Sequence, residues 1–156
     1  MSDFPPAEPI LRDATAADLP AIVGLLAEDK LGATRESPDD LSLYLAAFAE
    51  IEADPNQRLV VADRDGEIVG TFQLTYIPGI SHRGLKRAVI EAVRVAAAER
   101  GNGLGSRMMT WAIAESRAAG CGMVQLTSHT ERPDAHRFYE RLGFVPSHIG
   151  FKIKLS

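Results

Sequence analysis

The stretch RGNGLGS at residues 100–106 carries the strongest local signal in the sequence. It comprises Arg100, Gly101, Asn102, Gly103, Leu104, Gly105 and Ser106. An apolar strand pattern precedes this stretch, and a helical pattern over residues 103–118 follows it. Glycines allow a ligand to approach the main chain closely, and the first N–H groups of a helix attract an anion. We therefore predict a phosphate-binding turn, the alternative being a tight strand-to-helix turn that binds nothing.

Two common nucleotide-binding motifs fit this stretch poorly. A P-loop requires Gly-Lys-Ser/Thr after its glycines, whereas Leu104, Gly105 and Ser106 stand here. A dinucleotide-binding fold places an acidic residue about 20 residues further on, and there is none between Arg117 and Thr130. The glycine-rich stretch also comes late in the chain, after three long strands and not after the first strand. The phosphate would thus belong to another kind of ligand.

The flanking sequence predicts an alternation of strands and helices. Asp65-Gly66 is a strong hairpin signal between two apolar runs. The predicted strands cover residues 10–12, 58–63, 67–76, 86–96, 123–127 and 144–155, the last broken near Pro146. One predicted helix begins near Thr15, and three others cover residues 41–51, 103–118 and 133–142. Residues 32–40 are polar and rich in turns, and residues 78–83 form a loop. This order predicts a mixed α+β sheet with helices on its faces.

The composition indicates one globular domain over residues 1–156, with residues 1–8 as a flexible lead-in. The chain is 46% hydrophobic and 24% charged, with a net charge of -4, so a general nucleic-acid binder is not expected. The single Cys121 excludes an internal disulfide and a cysteine-rich zinc site. No apolar stretch is long enough to span a membrane and no signal peptide is recognisable, so we expect a cytoplasmic protein.

Three segments together resemble the GNAT (GCN5-related N-acetyltransferase) superfamily. They are Arg100-x-x-Gly103-x-Gly105, the apolar strand at 90–95, and AHRFYERLGF at 135–144. The resemblance covers residues 10–155 and extends to bacterial small-molecule members, including aminoalkylphosphonate acetyltransferases. It implies a mostly antiparallel central sheet in which parallel strands 4 and 5 splay apart, with helices on both faces.

The resemblance also implies acetyl-CoA as co-substrate. The main-chain N–H groups of residues 101–106 would hold its pyrophosphate, and backbone groups of Val93, Arg94 and Val95 would bind its pantetheine arm. The Val95 N–H would stabilise the oxyanion that forms at the thioester carbonyl. No metal is expected, because the four histidines show no ligand spacing with one another or with carboxylates.

Three side chains are candidates for chemistry on this basis. Tyr139 would protonate the departing thiolate, the alternative being packing on an amphipathic helix. Glu91 would take the proton of the amine, the alternatives being a structural ion pair or an anchor for the substrate ammonium. His129 stands where the family often has Asn, so it would contact the cofactor arm, serve in acid–base chemistry, or lie exposed in a loop.

The family places the acceptor opposite the cofactor, between residues 29–40, 76–83 and 147–151. Candidate contacts are Arg35, Glu36, Tyr76, His82 and His148, whose mixed charges suit a small polar or zwitterionic amine. We therefore predict an N-acetyltransferase that acetylates a primary amine by direct attack through a tetrahedral intermediate. The alternatives are a non-catalytic acyl-CoA sensor and a protein or peptide N-acetyltransferase. Family members are often dimers, and a homodimer is compatible with this sequence.

Overall fold

The protein is described by a computed structural model over residues 4–156. Residues 1–3 of the predicted lead-in lie outside this description. Residues 4–8 are exposed, and the Arg64 side chain donates a hydrogen bond of 2.8 Å to the Ala7 carbonyl.

Five strands form one mixed sheet. They are β1 (Ile10–Asp13), β2 (Gln57–Arg64), β3 (Glu67–Ile77), β4 (Arg87–Val95) and β5 (Met123–Leu126). Their order in the sheet follows the chain, β1-β2-β3-β4-β5. The first three pairs are antiparallel, and β4 pairs with β5 in parallel. The predicted mixed, mostly antiparallel architecture is confirmed.

Six helical segments surround the sheet. They are α1 (Leu19–Ala27), α2 (Lys30–Arg35), α3 (Ser42–Ala53), the single turn α4 (Ser81–Gly84), α5 (Leu104–Ala118) and α6 (Pro133–Arg141). Short 3-10 turns occupy Ala16–Asp18 and Ala97–Glu99. Among residues 4–156, no helix has the length and apolar character needed to cross a bilayer.

Each face of the sheet has its own apolar core. On one face, buried residues of α5 such as Met108 and Ala112 pack against Phe72 and Ile90, and α6 adds Phe138. On the other face, residues of α1 and α3 pack against the opposite sides of β2 and β3. The helices therefore cover both faces, as predicted.

Two segments differ from the sequence-based expectation. The polar stretch at 32–40 contains the end of α2, because the Asp29 carboxylate accepts a hydrogen bond of 2.5 Å from the Gly32 N–H and so caps a helix. The prediction of a last strand at 144–155 is wrong for the described chain, because these residues form no regular secondary structure and pair with no strand of the sheet. Its alternating pattern is that of a strand, yet within the described chain it has no strand partner.

Substitution of Phe72 by alanine tests the larger core. The Phe72 ring is fully buried and meets Trp111 edge-on at 6.1 Å between ring centroids. We expect Phe72→Ala to lower the free energy of unfolding by about 3–5 kcal/mol. Urea unfolding followed by circular dichroism measures this. The control Leu43→Ala removes an exposed side chain on α3 and should change the stability by less than about 0.5 kcal/mol. Equal effects of the two substitutions would contradict this assignment of the core.

Candidate functional site

An extra residue interrupts strand β4. The register with β3 shifts between the pairs Gln73↔Glu91 and Thr71↔Arg94, so β4 contains one residue more than β3 across this interval. Ala92 absorbs the distortion with φ of 53°, in the left-handed region that residues other than glycine rarely adopt. This is a β-bulge, a feature that redirects the side chains of a strand.

The bulge changes which side chains share a face of the sheet. Before it, Ile90 packs into the core beneath α5, and after it Val93 and Val95 pack against the same core. Strict alternation would have placed residues 90, 92 and 94 together. The extra residue instead places Glu91 and Arg94 both on the opposite face, which carries α1 and α2. Two charged side chains thus come to lie on the same side of the sheet.

The two parallel strands separate at the same point. The β4–β5 ladder ends at the pair Ile90↔Leu126, so Glu91 is the first β4 residue beyond it. The Ala96 N–H donates a hydrogen bond of 2.9 Å to the Val69 carbonyl of β3. By alternation, the main-chain groups of Val93 and Val95 point away from β3 and into the opening between β4 and β5.

Unpaired main-chain donors lie at the far end of this opening. Gly103 caps α5 in a left-handed conformation, with φ of 82°. Within the described chain, no main-chain acceptor pairs with the N–H groups of Gly101, Gly103, Leu104, Gly105 or Ser106, whereas the Asn102 N–H donates to the Glu99 carbonyl at 3.2 Å. This is the arrangement expected of an anion site at a helix N-terminus.

Packing contacts hold this turn in position. The carboxylate of Glu99 is paired with the Arg64 guanidinium, with 2.8 Å between Oε2 and Nη2. A Cβ atom on Gly105 would lie 3.3 Å from Cζ of Phe138 and 3.8 Å from Cγ2 of Val95. The start of α5 is therefore in close contact with both β4 and α6.

A charged cluster lies on the α1–α2 side of the opening. The Asp29 carboxylate contacts Arg132 at 2.5 Å and Arg94 at 3.3 Å. Its three members come from the α1–α2 junction, the N-terminal end of α6 and β4. Burial tends to raise the pKa of Asp29, but the Gly32 N–H and the two guanidinium groups outweigh it and lower that pKa. Asp29 is therefore ionised at neutral pH, and its single charge is shared by two cations.

Arg94 is the least satisfied member of the cluster. Its side chain is only 14% exposed, and its Nε is buried without a hydrogen-bond partner in residues 4–156. Burial lowers the pKa of Arg94, and the nearby cations Arg132 and Arg35 lower it further against the opposing effect of Asp29. An additional anion beside the exposed part of the cluster would reduce the charge imbalance.

Tyr139 lies on α6, partly buried between Phe138 and Phe144, with ring-centroid distances of 5.2 and 5.8 Å. Burial raises the pKa of its phenol above the ordinary value of 10.0, although Arg132 and Arg94 partly offset this. The phenol therefore stays protonated across the neutral range. Phe138, one residue earlier, packs into the core.

The other predicted residues are dispersed. Glu91 is exposed and has no ion pair within the described residues. His129 lies in the loop after β5, where its Nδ1 accepts a hydrogen bond of 3.1 Å from the Glu131 N–H. Among residues 4–156, the imidazoles of His82 and His148 hydrogen-bond only to the neighbouring serines, Ser81 and Ser147. Over residues 4–156, no group of three or more potential ligands could hold a metal ion.

A cavity of about 140 Å³ adjoins the bulge. It lies between α1, α3 and the sheet, and Ala92 and Gln73 form part of its wall. Most of its lining is apolar, with Tyr44 and Thr71 as further polar groups. A space of this size admits only a small group.

Sequence reasoning missed Arg132, which lies in an unremarkable polar loop. It included Asp29 in the predicted acceptor stretch 29–40 but assigned no role to its side chain. The resemblance implies only a backbone role for Arg94, although a charged residue between Val93 and Val95 in an apolar strand is a signal that its side chain needs a partner.

Comparisons with known proteins identify the family of this chain. The sequence model of the Acetyltransferase (GNAT) family matches residues 19–144. The aminoalkylphosphonate N-acetyltransferase of Salmonella typhimurium is 33% identical over 90% of this chain and 88% of its own. The L-methionine sulfoximine/L-methionine sulfone acetyltransferase of Pseudomonas aeruginosa is 30% identical over 86% and 78%.

A solved structure shares the fold over nearly the whole chain. A protein described as a transcriptional regulator from Bacillus halodurans is 45% identical and superimposes with a TM-score of 0.91, over 94% of this chain and 99% of that one. The family match spans α1 to α6 and so includes the open β4–β5 pair and the donor-rich turn before α5. The chain therefore belongs to the acetyltransferase (GNAT) family and is an acyltransferase.

Proposed function

We propose that this protein transfers the acetyl group of acetyl-CoA to a small primary amine that also carries an acidic group. The opening between β4 and β5 carries the proposal, because it joins unpaired main-chain donors at one end to Glu91 and the arginine cluster at the other. A ligand lying in it would reach from an anion site to a charged pocket. The substrates named for two relatives, an aminoalkylphosphonate and methionine sulfoximine, likewise combine an amine with a second polar group.

The half of the site that binds acetyl-CoA would be built from the main chain. The N–H groups at the start of α5 would bind the pyrophosphate of acetyl-CoA. The main-chain groups of Val93 and Val95 face the opening beyond the bulge, so they would bind the pantetheine arm along β4. The Val95 N–H would then polarise the thioester carbonyl. Arg94, whose main chain lies in the β3 ladder, would contribute its side chain on the other face.

The acceptor half would be built from charged side chains. Arg94 and Arg132 share one carboxylate, Asp29, so the cluster retains an excess positive charge that suits a phosphonate or carboxylate. Glu91 lies on the same face of the sheet and would receive the ammonium end. The small cavity next to Ala92 would accommodate an alkyl portion. These features favour a compact zwitterion over a long peptide.

The chemistry needs two proton transfers. Glu91 would take a proton from the ammonium, because an alkyl amine near pKa 10.4 is mostly charged and unreactive at neutral pH. The freed nitrogen attacks the thioester carbonyl carbon, the new C–N bond forms, and the C–S bond breaks. Tyr139 would give its proton to the departing sulfur. The products are the acetylated amine and free coenzyme A.

Thiol release across a panel of amines tests the proposed function. We expect acetyl-CoA to be consumed fastest with amines bearing a phosphonate or carboxylate, and slowly with matched alkylamines that lack the acid. Arg94→Gln should raise KM for the acidic amines roughly 10–100-fold, since it removes a charge-assisted hydrogen bond worth about 1.5–3 kcal/mol. The exposed Arg117→Gln on α5 is the control and should leave KM unchanged. Absence of thiol release with every amine, despite acetyl-CoA binding, would favour a sensor instead.

Tyr139→Phe tests the general acid. The substitution removes only the hydroxyl, so we expect kcat to fall by about 10²–10⁴-fold while the Kd for acetyl-CoA in calorimetry stays nearly constant. Because the raised pKa keeps the phenol protonated, wild-type activity should not decline on the alkaline side until the pH exceeds about 10. The matched control is Tyr76→Phe, because this predicted acceptor contact is buried in the core beneath α5 with its hydroxyl beside Arg58, on the face opposite the arginine cluster. An unchanged kcat in Tyr139→Phe would remove this residue from the mechanism.

Glu91→Gln tests the general base. The loss of rate should be greatest at low pH, where nearly all of the amine is protonated, and should shrink as the pH approaches the amine pKa. A kcat/KM profile from pH 6 to 10 measures this, with the exposed Glu50→Gln on α3 as the control. If Glu91→Gln lowers the rate by the same factor at every pH, Glu91 is an anchor for the substrate and not the base.

A further inference from the structure

The turn between β4 and α5 has a single buried anchor. Of residues 97–103, only Glu99 is buried. Gly101 and Gly103 both have φ of 82°, and a Cβ atom on either would meet no other part of the described chain within 4 Å. Packing around the glycines therefore does not hold the turn, although glycines give a backbone more freedom than any other residue. The position of the turn depends on Glu99.

Arg64, the last residue of β2, holds Glu99 from the neighbouring hairpin. Its two Nη groups donate to the two carboxylate oxygens of Glu99, and the side chains of Arg64 and Glu99 are only 20% and 10% exposed. Such a two-bonded pair fixes geometry as well as charge. The main-chain carbonyl of Glu99 in turn accepts a hydrogen bond from the Asn102 N–H in the middle of the turn. Arg64 therefore orients the turn through both the side chain and the main chain of Glu99.

The carboxylate of Glu99 is also an electrostatic liability for an anion site. Glu99 precedes Gly101 by two residues, so their Cα atoms are at most about 7.6 Å apart. This distance is shorter than the screening length of about 8 Å at physiological ionic strength. The Arg64 guanidinium lowers the pKa of Glu99, so the carboxylate is ionised at neutral pH. Without Arg64, that negative charge would repel phosphates bound at the turn.

We propose that Arg64 is a positioning residue for acetyl-CoA, which acts through Glu99 to orient the turn and to neutralise the carboxylate beside the pyrophosphate. The inference rests on the proposed function, in which the N–H groups of residues 101–106 bind that pyrophosphate. Arg64 itself does not touch the ligand in this role, because its Nη groups are bonded to Glu99 and its Nε to the Ala7 carbonyl. Removal of Arg64 should therefore weaken binding of the acetyl donor and leave the acceptor cluster around Asp29 intact.

Calorimetric titration with coenzyme A tests this role. Arg64→Met should raise the Kd for coenzyme A roughly 10-fold, and the double variant R64M/E99Q should recover part of the affinity because it also removes the unpaired charge. Arg64→Lys keeps the charge but not the fork of donors, so its Kd should lie between those of the wild type and Arg64→Met.

The matched control is Arg58→Met. Arg58 lies on the same strand, its side chain is similarly exposed, and it pairs with Glu115 toward the other end of α5, so its loss should lower stability without changing the Kd. A wild-type Kd in Arg64→Met, or an equal rise in both variants, would overturn the positioning role. Absence of coenzyme A binding by the wild type would overturn the proposed function as well.

A donor without phosphates separates positioning from general damage to the fold. S-acetylpantetheine carries the thioester arm but no pyrophosphate, so the turn has nothing to bind in it. We expect Arg64→Met and Arg64→Lys to match the wild type in kcat/KM with this donor. With acetyl-CoA, both variants should show a raised KM and a nearly unchanged kcat at saturation. If kcat/KM falls by the same factor with both donors, Arg64 supports the fold in general and the proposal fails.

Discussion

The extra residue in β4 is the constraint on which the site depends. A regular strand would have continued to pair with β5 and would have turned Arg94 toward the core beneath α5. The left-handed Ala92 avoids both outcomes. Beyond it the strands separate, main-chain groups of Val93 and Val95 become available, and Glu91 and Arg94 share a face. The strained backbone at Ala92 is thus coupled to the opening between β4 and β5 and to the placement of Glu91 and Arg94 on one face of the sheet.

The site divides between two parts of the chain. The segment from β4 to α6 contains the open strands, the donor-rich turn and Tyr139, so it would bind the acetyl donor and supply the acid. The segment from α1 to α3 supplies Asp29 and most of the small cavity. The acceptor would therefore be recognised mainly where the two parts meet, at the cluster of Asp29, Arg94 and Arg132.

Local signals in the sequence predicted most of the fold. The hairpin at Asp65-Gly66, helices α5 and α6 and the turn before α5 depend on neighbouring residues, and all lie where expected. The bulge was not predictable, since alanine carries no preference for positive φ. The Asp29 cluster joins residues up to 103 positions apart, which no local pattern reveals. The C-terminal tail has the alternating pattern of a strand, but pairing depends on distant residues, and within the described chain the tail joins no sheet.

The contact between Gly105 and Phe138 leaves too little room for an extra methyl group without displacement of one helix. It fixes the spacing between the start of α5 and the helix that carries Tyr139. The distance between the phosphate site and the Tyr139 phenol would therefore be fixed. A thioester donor with a shorter arm would still bind through its phosphates, but its sulfur would not reach the phenol. Discrimination among donors would then follow from the length of the arm.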